Sequence, residues 1–216
     1  MYNGLTGQWW SIKALFNFKF KKMKNTILTL FLSVFITLTG NAQDPKPSNF
    51  GIKGGYNLAA VSFDGEGETG QRHGFHIGFY GESFVTESIA LQLEFLYSQQ
   101  GYVLKDNGGE FTQKLDYINL PLMFKGYLDK NFFLEVGPQI GMAISHKEEF
   151  DSNFDLFDTS QEFNPKNFDW GVNFGGGFKT SSGISLGLRY HLGFGDIYDD
   201  GSPKNRVWLF SIGFDI

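Results

Sequence analysis

A run of acidic and amide side chains near residue 150 comes closest to the pattern of a metal site. Asp151, Asn153 and Asp155 occur at every second position and Glu162 follows, which is the spacing of a twelve-residue calcium-binding loop. Carboxylate and amide oxygens are the ligands that Ca²⁺ prefers. Two features argue against this interpretation, because Leu156 stands where the loop needs a glycine and no helical pattern flanks the run. We therefore predict a solvated surface loop here, without a bound metal.

Catalysis finds little support in the sequence. The chain contains no cysteine, which removes thiol nucleophiles, disulfides and thiolate metal sites together. The glycine run at 175–177 precedes neither a helical pattern nor a Lys-Ser/Thr pair, so it is not a phosphate-binding loop. The four histidines fall in different segments and none belongs to a nucleophile motif; they are His73, His76, His146 and His191. The sequence thus predicts a protein that is not an enzyme and binds no cofactor.

Eight segments of alternating polarity account for most of the chain beyond residue 49. Most are about 11–14 residues long, which exceeds the usual globular strand and suffices for a tilted strand to cross a membrane. No helical pattern lies between them, so neighbouring strands should pair antiparallel. The predicted strands are Phe50–Val61, His73–Phe84, Ile89–Tyr102, Lys114–Leu128, Phe132–Ser145, Phe168–Lys179, Ile184–Phe194 and Arg206–Ile216.

The connections between these strands alternate in length. Short turns follow the second, fourth and sixth strands, at Thr86–Ser88, Asp129–Asn131 and Ser181–Gly183. The other links are long: Ser62–Arg72, Val103–Gln113, His146–Asn167 and Gly195–Asn205. Short and long connections therefore lie at opposite ends of the sheet, which is typical of outer-membrane barrels. We predict an all-β fold, an eight-stranded antiparallel up-and-down transmembrane β-barrel.

The alternation alone does not say which face of the barrel is outside. Leu186, Leu188 and Tyr190 share one face, and Gly187 and Arg189 share the other. The polar face is rich in small residues, which suit the narrow lumen of eight strands. The apolar face carries aromatic residues and almost no charge, as lipid contact requires. These observations favour a membrane barrel with its apolar face outward. A small channel and a soluble lipocalin-like ligand-binding barrel are the alternatives.

The same alternation places four charged side chains in the lumen: Glu94, Lys125, Glu135 and Arg189. An unpaired charge inside a narrow barrel is costly, so we expect the two basic residues to pair with the two acidic ones. Their predicted role is structural, as part of a polar filling of the lumen rather than an ion path.

The N-terminal stretch has the composition of an export signal. Lys24 supplies a basic start, Ile27–Thr39 is an uncharged run, and Gly40–Ala42 provides the small residues of a cleavage site. We expect residues 1–22 to be a start-site extension, 23–42 a cleaved signal peptide, 43–49 a periplasmic leader and 50–216 the barrel. Removing residues 1–42 takes away five lysines and no acids, which leaves 13 basic and 23 acidic side chains and a charge of −10. That balance argues against a nucleic-acid partner.

Several segments of the predicted barrel share a further pattern. They are Gly51–Ala59, Leu91–Gly101, Ile118–Lys125, Leu134–Gly141, Phe168–Phe178, Leu186–Phe194 and Asn205–Phe214. As a set they resemble the PorT-like family of outer-membrane β-barrel domains. The resemblance implies an outer-membrane barrel, and the best-studied members of that family are linked to protein secretion across the outer membrane. No motif that carries this role is recognisable here.

These observations predict a monomeric barrel in the bacterial outer membrane with a side-chain-filled lumen. Its expected contacts are outer-membrane lipid, the barrel-assembly machinery during insertion and a protein partner at the external loops. The expected function is carried by those loops, in envelope structure, in adhesion or as an accessory to protein secretion.

Overall fold

Long antiparallel strands make up almost all of the described chain. The structure is a computed structural model that describes residues 48–63, 67–106, 109–152, 159–161, 168–198 and 203–216. The strands are β1 (Asn49–Phe63), β2 (Gly67–Glu68), β3 (Gly70–Phe84), β4 (Ile89–Asp106), β5 (Gly109–Tyr127), β6 (Phe132–Ser152), β7 (Thr159–Gln161), β8 (Phe168–Lys179), β9 (Ile184–Asp196) and β10 (Lys204–Asp215). In the part of the chain so described, no helix is long and apolar enough to cross a membrane. The predicted signal peptide lies outside these residues.

Eight of these strands close into a barrel. The long strands pair in the order β10, β9, β8, β6, β5, β4, β3 and β1, and β1 in turn pairs with β10. This seam runs through twelve antiparallel residue pairs, from Gly51–Asp215 to Ser62–Lys204. The short strands β2 and β7 pair antiparallel with the last part of β1 and of β6. The predicted fold, a closed eight-stranded antiparallel barrel, is confirmed.

The apolar stripes of the strands face outward. Leu186 and Leu188 are 55% and 43% exposed on the outer surface, whereas Arg189 between Leu188 and Tyr190 is only 2% exposed and lies inside. Phe210 and Ile212 on the neighbouring strand are exposed in the same way. Apolar side chains therefore cover the outer surface of the barrel, and polar side chains fill its lumen. A soluble carrier barrel has the reverse arrangement.

Three short turns lie together at one end of the barrel, which we call the turn end. They are residues 85–88, 128–131 and 180–183, at the predicted positions. Each is held by a side chain that bonds the backbone, because Thr86, Asp129 and Thr180 accept from N–H groups two to four residues ahead. Asp129 accepts from Phe132 and Asn131, both at 2.7 Å, and these bonds hold the pKa of its exposed carboxyl below the usual range.

At the opposite end, the loop end, the strands continue further than predicted. The link expected at Val103–Gln113 is mostly strand, since β4 runs to Asp106 and β5 begins at Gly109. Likewise β6 continues to Ser152, well inside the link expected at His146–Asn167. Outward positions there are polar, which removes the alternation signal, but backbone pairing does not depend on side-chain polarity. We call this projecting part, residues 99–106, 109–116 and 145–152, the external sheet.

Candidate functional site

A buried arginine holds two carboxylates together at the centre of the lumen. Arg189 on β9 donates to both carboxylate oxygens of Glu94 on β4, at 2.7 and 2.8 Å, and to Glu135 on β6 at 2.7 Å. Lys53 on β1 adds a second cation to Glu94 at 3.0 Å. All but Lys53 are almost fully shielded from solvent. Four strands from around the wall thus meet in one charge-assisted cluster, and such bonds are among the strongest in proteins.

A second ionic cluster lies nearer the turn end. Glu82 on β3 accepts from Lys125 and from Lys179, each at 2.7 Å, and from the hydroxyl of Tyr127. Lys179 also lies 3.0 Å from the carboxylate of Asp215, near the end of β10. We refer to both clusters together as the ion-pair layer: Lys53, Glu82, Glu94, Lys125, Glu135, Lys179, Arg189 and Asp215. Its four cations and four carboxylates balance, so the layer is neutral as a whole.

Towards the loop end the lumen filling changes to neutral polar groups. The Nδ1 atom of His76 lies 2.7 Å from the side-chain oxygen Oδ1 of Asn57, and its Nε2 atom lies 2.9 Å from the hydroxyl oxygen of Ser211. On the other side, Asn173 bonds Gln139 at 3.0 Å and contacts His191 at 2.9 Å. Two imidazoles are therefore fixed in the lumen by amide partners rather than by carboxylates alone.

Beyond these amides the lumen contains buried atoms without a hydrogen-bond partner among the described residues. They are Gln100 Oε1, Gln113 Nε2, Asn119 Oδ1, Asp169 Oδ1, His191 Nε2 and Asn205 Oδ1. Asp169 still receives the Asn205 amide at 2.9 Å and lies 3.5 Å from His191. An apolar cluster completes the filling at this end, formed by Val61, Tyr102, Leu115, Tyr117, Ala143 and Ile197.

The lumen and the outer surface differ greatly in the space they offer. The cavity within the ion-pair layer measures about 10 Å³, which is room for about one water. A groove of about 660 Å³ instead lies on the outward face of the external sheet. We call it the external groove; its charged and polar lining includes Arg72, Gln99, Lys114, Asp116, Lys147 and Glu149.

An all-β wall with apolar stripes on its outside and balanced charges inside is typical of outer-membrane barrels. Residues 41–199 match the family described as the outer membrane protein beta-barrel domain. The chain belongs to that family. This outer-membrane barrel is therefore a protein of the bacterial outer membrane, and its strands cross the lipid bilayer.

Solved structures of other outer-membrane proteins are similar to this outer-membrane barrel at low identity. Ail, the attachment invasion locus protein of Yersinia pestis, is 14% identical over 79% of this chain and 100% of its own, with a TM-score of 0.47. Neisserial surface protein A is 14% identical over 79% of this chain and 99% of its own, also at 0.47. OprG from Pseudomonas aeruginosa is 14% identical over 81% and 98%, at 0.39. No curated protein matches the chain.

The four charges singled out from the sequence all lie in the lumen of the outer-membrane barrel. Arg189 contacts both Glu94 and Glu135, the partners expected for it. Lys125 differs from expectation, because its ion-pair partner is Glu82 rather than either of those carboxylates. Sequence reasoning did not single out Lys53, Glu82, Lys179 or Asp215 as lumen partners, although alternation within their strands points all of them inward.

The remaining candidates do not assemble into a chemical site. Of the histidines, His73 points outward and bonds Tyr56, while His76 and His191 are buried in the lumen. The described residues contain no group of three or more His, Cys, Asp or Glu side chains able to hold a metal ion. Asn153, Asp155 and Glu162 of the calcium-like pattern lie outside the described residues, as does the side chain of Asp151.

Proposed function

We propose that this outer-membrane barrel is closed to solutes and acts through its external surface, in adhesion, in envelope structure or as an accessory to protein secretion. The observation that carries the proposal is the contrast between a lumen cavity of about 10 Å³ and an external groove of about 660 Å³. A partner finds room on the outside of the barrel and not within it.

The way in which the central ion pairs cross the lumen supports closure. Arg189 reaches from β9 to Glu94 on β4 and Glu135 on β6, so its guanidinium lies across the path that an ion would take. Moving it aside leaves the Glu135 carboxylate buried without a cation and leaves Glu94 with Lys53 alone. Breaking a buried pair in this way costs about 3–5 kcal/mol. These contacts support a structural filling rather than an ion path.

The external role is supported by the unequal lengths of the strands. A tilted strand needs about 9–11 residues to cross the bilayer. Strands β8, β9 and β10 have 12, 13 and 12 residues, but β4, β5 and β6 have 18, 19 and 21. The extra residues form the external sheet, which crossing the membrane does not require. A role in secretion rests on the resemblance of segments such as Leu91–Gly101 to the PorT-like family.

The proposal assigns no catalysis to the barrel. The pair that most resembles part of a catalytic constellation is Asp169 with His191, and both side chains are buried in the closed lumen. A lipid or peptide substrate has no access to them there.

The test combines two measurements on the purified and the expressed protein. Reconstituted into planar bilayers, the wild-type barrel should give no stable conductance steps, because its lumen holds no continuous aqueous path. Regular steps with a defined conductance contradict closure and favour the small-channel alternative.

The second measurement removes only the tip of the external sheet. Val103 and Thr112 are directly paired, so joining them through a two-residue turn shortens the β4–β5 hairpin without changing its register. Cells that carry this variant should attach less to surfaces and to one another, while the amount of folded barrel stays the same. A Lys130→Gln variant, altered in a turn at the other end, is the matched control. Equal attachment by the shortened and control proteins rejects the adhesion role.

A further inference from the structure

Two lysines stand directly opposite each other on the outward face of the external sheet. Lys114 on β5 pairs in register with Lys147 on β6. Their neighbours Leu115 and His146 point towards the lumen side, so the two ammonium groups share the outer face. Like charges at directly opposed positions destabilise a sheet. An anion that lies between the two side chains would remove this repulsion.

A third cation extends this pair across the sheet. The β4 partner of Lys114 is Gly101, whose φ of 125° lies in a region that residues with a side chain rarely adopt. A Cβ built on Gly101 would lie 3.4 Å from the Cδ atom of Arg72, so the arginine side chain runs over this glycine. The order across the sheet is thus Arg72, a gap without a side chain, Lys114 and Lys147. All three cations line the external groove.

The acidic residues beside this row leave part of its charge available. Glu149 forms an ion pair with Lys114, and Asp116 accepts from the Tyr97 hydroxyl at 3.0 Å and interacts electrostatically with Arg72. Arg72 is buried and also donates to the backbone carbonyl of Gln100, and a third carboxylate, Glu110, lines the same groove. Lys147 is exposed and makes no ion pair within the described part of the chain. The acids therefore steady two of the cations, and Lys147 remains open to a ligand.

The row lies where the lipid-facing surface ends. On β5 the outward side chains change from Ile118 to Asp116 and then to Lys114, and each step is about 7 Å along the strand. On β6 the change comes between Ile144 and Ser145, one step before Lys147. In an outer-membrane barrel this change from apolar to charged outward side chains is expected at the level of the lipid headgroups, so we infer that the three cations lie near that level.

We propose that Arg72, Lys114 and Lys147 form a binding site for a phosphate group on the headgroup of an outer-leaflet lipid. The phosphate lies between the two lysines and cancels their repulsion, and the guanidinium supplies a planar pair of donors from the third side. The site is independent of whether the barrel acts in adhesion or secretion.

The direct test measures which lipids stay bound to the purified barrel. The probe is a bisphosphorylated lipid A in neutral detergent, detected by native mass spectrometry, and the comparison ligand is the same lipid without its phosphates. Lys147→Gln should weaken binding of the phosphorylated lipid about five-fold, and Lys114→Gln with Lys147→Gln about 25-fold. Lys130→Gln, the same charge change at the turn end, should leave binding unchanged.

Free phosphate distinguishes the source of the anion. Millimolar inorganic phosphate should displace the lipid only weakly, because the lipid also contacts the apolar stripe below the groove. Equal binding of the phosphorylated and dephosphorylated lipids overturns the proposal, and so does equal binding by wild type and the double variant. Binding of inorganic phosphate without any binding of the lipid rejects a lipid headgroup as the ligand.

Thermal stability gives an independent readout with an unusual sign. In phosphate-free neutral detergent, Lys147→Gln should be as stable as the wild type or more stable, because it removes a like-charge pair. With phosphorylated lipid added, the order should reverse, since only the wild type gains from binding. A lysine with a purely structural role gives a less stable variant in both conditions, and that result contradicts the proposal.

Discussion

The two halves of the lumen are filled according to different rules. From the centre of the lumen to the turn end, which we call the turn-end half, each charged side chain of the ion-pair layer contacts an opposite charge within about 3 Å. Near the loop end, neutral amides and imidazoles predominate, and several of their atoms have no partner among the described residues. The turn-end half is thus a network of ion pairs. The loop-end half is a polar core with fewer hydrogen bonds, and it lies below an apolar cluster.

This difference predicts which part of the lumen stabilises the barrel and which part tolerates substitutions. Buried ion pairs are costly to break one partner at a time, because the remaining charge stays desolvated. A buried amide that already lacks a partner has less to lose when it is replaced by an apolar group of similar shape. The turn-end half should therefore dominate stability, and the loop-end half should accept substitution.

The largest effect is expected for Arg189→Ala. This change strands Glu135 and leaves Glu94 with Lys53 as its remaining cation, and a broken buried pair costs about 3–5 kcal/mol. The folded band on unheated gels should then convert to the unfolded band at a clearly lower temperature. Arg206→Ala is the control, because its guanidinium donates only to backbone carbonyls in the contacts described. Identical melting of both variants removes the basis of the comparison.

A smaller loss is expected for Lys125→Met. Glu82 keeps Lys179 and the Tyr127 hydroxyl after this change, so the carboxylate remains partnered and the cost should be about 1–3 kcal/mol. The double variant with Lys179→Met should cost more than the sum of the two single changes, because only then does Glu82 lose both of its cations. Denaturant titration in detergent measures all three, and strict additivity argues against a shared cluster.

The smallest effect belongs to the loop-end half, at Asn119→Leu. The side-chain oxygen of Asn119, Oδ1, is buried and has no hydrogen-bond partner among the described residues. It lies over Gly141, which has no side chain that could contact it. Replacement by leucine should change the free energy of unfolding by less than about 1 kcal/mol. A loss as large as that of Arg189→Ala shows that the two halves are not energetically distinct.

The sequence predicted the strands well because the alternation is physical. A side chain that faces lipid and one that faces a narrow lumen have opposite requirements, so strands such as β8 were placed at their observed limits. The strand ends of β4, β5 and β6 were placed too early, since the external sheet faces water or headgroups and has no apolar stripe to mark it.

The pairing inside the lumen was only partly predictable. Alternation indicates that Arg189 and Lys125 point inward, but it does not say which residues meet across the barrel. That depends on strand tilt and stagger, which decide the height of each side chain along the axis. Lys125 on β5 therefore meets Glu82 on β3, two strands away in the wall, instead of Glu135, which is beside it in register. The external groove was not predicted for a related reason. Its lining comes from four strands, and the alternation within each strand does not show which residues of different strands lie side by side.

The seam between β1 and β10 has a consequence for how the protein matures. These are the first and last strands of the wall, so the ring is closed only when this pairing has formed. Until then both strands present unsatisfied backbone N–H and C=O groups, which hydrocarbon does not tolerate. A barrel that lacks its last strand should therefore not be stable in the bilayer. A chain truncated before β10 should instead be degraded by periplasmic proteases.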